Sequence, residues 1–170
     1  MNQKDFLEQL KVGIKDFSGI KLSGLKLNYF SPFKIALIGA NIEYSDLPDI
    51  ALHEANLEKA SFMNCYLDRA NFQNCNLSHA KFDNCFFGKA YFGNSDMSGV
   101  SFHNVDLSET IICEVNLQNS IWKDVTWGGE LKMSYVDLTN AVGIPRDKLL
   151  CHHADDVTLP NGEVVSEDTW

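Results

Sequence analysis

The sequence has little with which to span a membrane: no apolar run approaches the roughly 20 residues a bilayer-crossing helix needs. Met1 to Lys11 carries charges throughout and no apolar stretch of the signal-peptide kind, so a cytoplasmic chain is expected. Cysteine is sparse and odd in number, five residues with no CxxC pair, a usage that suits reduced thiols rather than a disulfide framework. Basic residues are outnumbered, 14 against 23 acidic ones, and the net charge is −9. That makes the chain a poor direct ligand for nucleic acid, whose phosphates are neutralised by Lys and Arg. Enzyme signatures are missing: there is no GxSxG, no HExxH and no phosphate-cradling glycine loop. No catalytic residue, cofactor or metal is therefore assigned, and a non-enzymatic protein is expected. What remains is an ordinary folded composition, 45% apolar and 22% charged over 170 residues, enough for one domain with short appendages.

The organisation lies in a repeat. Every fifth residue from Phe17 to Trp127 is a large aliphatic or aromatic side chain, with Pro32 the one exception among 23 positions. Two residues before each of these centres, from Ala55 to Val125, stands a small or medium-small residue, fifteen times in succession. A period of five matches neither the 3.6 of a helix nor the 2.0 of a free strand. One large and one small inward residue, separated by polar residues that turn the chain, suits a short extended step repeated around an axis. Such a coil hydrogen-bonds only to its neighbours, as in a solenoid.

At Ala55-Asn56-Leu57-Glu58-Lys59 and Ala70-Asn71-Phe72-Gln73-Asn74 the sequence resembles the pentapeptide-repeat family, whose consensus is A-(D/N)-(L/F)-x-x. The resemblance is strong over about residues 35 to 127 and weak over 15 to 34. It implies an all-β fold, a right-handed quadrilateral β-helix with four pentapeptides per coil, so that residues 20 apart stack. The alternation of centres agrees: Phe62, Phe82, Phe102 and Trp122 would line one wall, with Phe72 and Phe92 opposite. Leucines between them keep a narrow core from overfilling, and Phe87 departs from the alternation.

The expected organisation is an N-terminal cap over residues 1–14, the solenoid over 15–140 and a tail over 141–170. Phe6, Leu7 and Leu10 form the stripe of a short capping helix. Gly128-Gly129 shifts the frame by one residue before Met133 and Leu138 resume it. Pro145 suits the start of a short helix through Leu150, and Pro160-Asn161-Gly162 is a hairpin turn between two apolar triplets. The tail resembles the C-terminal extensions of some bacterial pentapeptide proteins.

Few residues invite chemistry. Cys151-His152-His153, with Cys113 elsewhere, is the one metal-like group, and adjacent ligands in a tail rarely close a tetrahedral site. Cys65 and Cys85 should stack on adjacent rungs, a separation that permits a disulfide but in a small inward slot that favours buried thiols, and Asn64, Asn84 and Asn104 should form a structural amide ladder. The outward positions say more. Just before the centres, where the family prefers Asp or Asn, stand Tyr66, Phe86, Tyr91 and Ile111. This apolar patch is either an interface or a seat for the tail or the N-terminal helix.

Two functions follow. The first is a protein–protein interaction or scaffold module whose partner is another protein or a second copy of the chain, a homodimer. The second comes from the resemblance: some members, of the quinolone-resistance type, mimic duplex DNA and bind DNA gyrase or another type II topoisomerase. Asp46, Asp49, Asp68, Asp106 and Glu109 would share one face, interrupted by Phe86, Arg69 and Lys89. Residues 35–129 carry 12 acids and 5 bases, about −1.5 per coil, against nearly three charges per ~4.8 Å for DNA. Residues 1–34 are instead basic, with a net charge of +3.

Overall fold

The computed structural model describes residues 1–129, 131–145, 148 and 154–166. Its backbone turns at one fixed place in each pentapeptide. From Gly19 to Asp124 the residue two after each centre has φ between 48° and 69°, a left-handed corner that reverses the extended step before it. Four such corners close a coil.

Short strands form on two opposite sides of the coil. One side stacks β1 (Lys21–Ser23), β2 (Asn41–Glu43), β3 (Ser61–Met63), β5 (Lys81–Asp83), β7 (Ser101–His103) and β9 (Ile121–Lys123). The other stacks β4 (Asn71–Gln73), β6 (Tyr91–Asp96), β8 (Ile111–Asn116) and β10 (Lys132–Asp137). Neighbours are parallel and, up to β8, 20 residues apart, as in Phe62↔Phe82↔Phe102↔Trp122 and Phe72↔Phe92. The two intervening sides turn more sharply and are joined by single bridges such as Tyr66↔Phe86. The molecule is a four-sided β-solenoid with four pentapeptides per coil, as the family resemblance implies.

The interior is the column of centres. Phe62, Phe82 and Phe102 stack at 5.1 and 5.5 Å between ring centroids, and Phe72 and Phe92 stack at 5.0 Å on the opposite wall. Phe87, the odd ring in a leucine column, stands edge-on to Phe82 at 5.0 Å and 82°, a favourable aromatic arrangement. The small inward slot is more than a space filler. Ser95 Oγ donates to the carbonyl of Phe72, Thr110 Oγ1 to that of Phe87, and Cys65 Sγ to that of Ile42. A short donor there satisfies a carbonyl that the corner would otherwise bury unpaired.

Both ends are covered. Helix α1 (Gln3–Lys11) begins two residues earlier than its apolar stripe suggests, because the Asn2 side chain accepts from the Asp5 N–H and caps it. Phe6 is buried against Phe17, while Gln3 Oε1 accepts from the Lys26 N–H and the terminal ammonium donates to the Lys21 carbonyl. At the far end the frame shift appears as a 21-residue step, Ile112↔Met133, with Leu131 buried beside it. Beyond β10, β11 (Ala154–Asp155) and β12 (Val157–Thr158) continue the parallel stack, and β13 (Val164–Val165) returns antiparallel to β12. Val157, Leu159 and Val165 are buried on the last coil. The helix expected from Pro145 to Leu150 and the Cys151-His152-His153 group fall largely outside the described residues. No helix among the described residues is long and apolar enough to cross a membrane.

Candidate interaction surface

The consensus Asp or Asn before each centre has a job on the two turning sides. Asp16, Asn56, Asn76, Asp96, Asn116 and Asp137 on one side, and Asp106 on the other, each accept the N–H of the residue two places on, at 2.9–3.1 Å. This Asx-turn bond holds the polar turn in shape. Tyr66 and Phe86 occupy the same place in two successive coils and supply no such acceptor.

In exchange they present rings to solvent. Tyr66 is 44% and Phe86 54% exposed, with centroids 6.4 Å apart. Neither the described tail nor α1 lies over them, since each of these caps an end of the stack. Tyr44, 62% exposed, stands at the adjoining corner, and below it run Asn64 and Asn84. Asn84 Nδ2 donates to Asn64 Oδ1 at 2.7 Å and Asn104 Nδ2 donates to Asn84 Oδ1, the expected amide ladder. Between ladder and rings lies an open groove of about 520 Å³. Tyr44 escapes a reading that looks only before the centres. Its signal was the 20-residue step, which puts residue 44 one rung from Asn64.

Tyr91 and Ile111 do not join this groove. They pair with each other on the adjoining strand side, in β6 and β8. The Tyr91 ring lies across Gly93, where an added Cβ would collide with its hydroxyl. Tyr91 is therefore half-buried over its own strand, while Ile111 remains 41% exposed. Burial, with the Cys113 and Glu114 charges nearby, holds the Tyr91 hydroxyl above the usual phenol range.

The five acids share one side of the solenoid but are not equivalent. Arg69 clamps Asp49 through Nε and Nη2 at 2.7 and 2.8 Å and also reaches Asp68. That hydrogen bond pulls the Asp49 carboxyl below, and the guanidinium above, its ordinary range. Glu109 meets Lys89 at 3.6 Å. Asp46 and Asp106 form no ion pair among the described residues. Asp106 still accepts from the Ser108 N–H and hydroxyl, whereas residue 48 is a proline and gives Asp46 no N–H. Along one column the order is Asp46, Tyr66, Phe86, Asp106.

The inward thiols are chemically quiet. Cys65, Cys75 and Cys85 are free and buried. Burial pushes the Cys75 thiol up to about 11, and the Cys85 thiol is held high by its hydrogen bond with Cys65 and by burial.

No curated protein matches this sequence. Residues 40–112 match the family model for the pentapeptide repeat region. Among solved structures the chain is similar to HetL, a pentapeptide repeat protein involved in heterocyst differentiation regulation from the cyanobacterium Nostoc sp. strain PCC 7120. The TM-score is 0.54 and the identity 16%, over 97% of this chain and 100% of that one. It is also similar to Rfr23 from the cyanobacterium Cyanothece 51142, at 16% identity and a TM-score of 0.41, over 78% of this chain and 97% of that one. QnrB1, a plasmid-mediated fluoroquinolone resistance protein, aligns at 17% identity and a TM-score of 0.29, over 83% of this chain and 94% of that one. At this identity the HetL likeness bears on the fold alone. With a matched pentapeptide repeat region over residues 40–112 and one 20-residue register running from Leu22 to Trp122, the chain carries a pentapeptide-repeat solenoid.

Proposed function

We propose that this chain is a non-enzymatic interaction module that binds a protein partner through the Tyr66/Phe86 side of the solenoid. One observation carries the reading: two aromatic rings replace the turn-holding Asp or Asn in successive coils and stand 44% and 54% exposed. A residue that gives up a local hydrogen bond to display apolar surface fits binding better than stability. A continuous stack of buried centres also leaves no deep cleft in which to dehydrate a small substrate.

Mimicry of DNA toward a type II topoisomerase has less support. It needs a continuous line of negative charge, and here Arg69 neutralises Asp49 and Asp68 while Lys89 meets Glu109.

Tyr66→Lys combined with Phe86→Lys tests the interaction reading. The β-sheet circular dichroism should persist, while self-association by sedimentation, or recovery of a partner on immobilised protein, should fall at least tenfold. Unfolding of the double variant would mean the rings are structural and would remove the proposed surface. Inhibition of gyrase supercoiling by wild type at about micromolar concentration, unaffected by the double variant, would favour mimicry instead.

A further inference from the structure

We infer that the groove between the Asn64–Asn84 ladder and the Tyr66–Phe86 rings receives a basic protein segment carrying a large apolar anchor. The inference deepens the interaction reading above and rests on it. Its ground is the charge around the groove. The two rings are bracketed in their own column by Asp46 and Asp106, neither of which is ion-paired among the described residues. At the far end of the ladder Asp83 and Asp124 flank His103, at 3.0 Å from its Nδ1 and 3.6 Å from its Nε2, and Lys123 is the register partner of His103 on the next strand. Of the bases on the ring side, Arg69 and Lys89 are held by Asp49, Asp68 and Glu109, and Lys26 stands one rung before Asp46 without an ion pair to it. The groove therefore combines apolar walls with two carboxylates, Asp46 and Asp106, that form no ion pair among the described residues, in a chain of net charge −9.

The spacing specifies the partner further. Asp46 and Asp106 are three coils apart, about 14 Å along the axis. An extended chain covers that distance in about four residues. A segment with Lys or Arg at both ends of such a stretch would place its cations on the two carboxylates. A large apolar side chain between them would lie on Tyr66 and Phe86, where cation–π contact with either ring also becomes available. The amides of Asn64 and Asn84 have further donor and acceptor capacity for a backbone running past them.

A phage-displayed library of random dodecapeptides, panned on the immobilised full chain, tests this. Selected peptides should carry net positive charge and an aromatic or large aliphatic residue. By fluorescence anisotropy they should bind the Tyr66→Ser/Phe86→Ser protein at least tenfold more weakly. They should bind the Asp46→Asn/Asp106→Asn protein about three- to tenfold more weakly and with reduced salt dependence. Both variants are checked for native circular dichroism, and the milder Tyr66→Ser single variant replaces the pair if it unfolds. Neutral or acidic peptides that still require Tyr66 and Phe86 would overturn the charge inference and leave the interaction surface standing. Failure to select peptides, or equal binding to the ring variant, would overturn both. A wild-type dimer that dissociates on Tyr66→Ser/Phe86→Ser would assign the groove to a second copy and overturn the basic segment.

Discussion

At each left-handed corner the choice of side chain carries a conformational energy. Asn64, Asn74, Asn84 and Asn119 suit a φ of 55–59°, because a short amide tolerates the left-handed region. Lys59, at φ 57°, does not, and its ion pair with Glu58 is exposed and contributes little. Lys59→Asn should raise stability by about 0.5–1 kcal/mol, seen as an increase in Tm of about 1–4 °C. Lys59→Val should lower it. A second residue-scale expectation concerns the thiols. Native protein treated with iodoacetamide at pH 8.5 should be alkylated at the half-buried Cys113 well before Cys65, Cys75 or Cys85. Cys75 remains a thiol until the pH approaches about 11, and the buried trio is out of reagent's reach. Peptide mapping by mass spectrometry reads the order, and early labelling of Cys75 would contradict its burial.

The elements of this fold are too short to stand alone. A three-residue strand such as β5 is stable only because Phe82 lies between Phe62 and Phe102 and touches Phe87 edge-on. Phe82→Ala should cost about 3–5 kcal/mol and lower Tm by on the order of 10 °C. Phe87→Leu should cost much less, because leucine already fills that column at Leu47, Leu67 and Leu107. Equal losses from the two substitutions would mean that the edge-on contacts of Phe87 matter as much as the stacked wall. These walls were legible in the sequence, since the five-residue period and the 20-residue step fix which side chains share a column. The hydrogen bonds of the small slot were not. Ser95, Thr110 and Cys65 read as small residues, and only the position of the carbonyl from the previous coil shows why a donor stands there.

Over the whole molecule the stack has two ends that would otherwise present unpaired backbone. Helix α1 covers one, and the β11–β13 tail covers the other through Asp137↔Thr158 and the buried Val157, Leu159 and Val165. Removing residues 154–170 should open β10 along its length, lower Tm and promote edge-to-edge association visible by light scattering. A truncated chain that stays monomeric with unchanged Tm would show that the tail is dispensable as a cap.

The solenoid, its inward residues and the frame shift at Gly128-Gly129 were legible in the residues, and the register followed from the family resemblance they carry. Burial acts on each centre in the same way, so the pattern repeats and can be read without coordinates. With the four-pentapeptide coil that the family resemblance implies, the sequence also put Tyr66 and Phe86 in one column. Only the tertiary structure decided what surrounds them. Tyr91 turned down over Gly93, Arg69 turned to Asp49, and Asp46 has no turn N–H to accept because the residue two places on is Pro48. Outward side chains answer to neighbours one coil away and around a corner, and no period constrains what those neighbours are. The tail likewise had no repeat to follow. Its place over the last coil, away from the aromatic groove, depends on the open edge of β10, which exists only once the coils beneath it have formed.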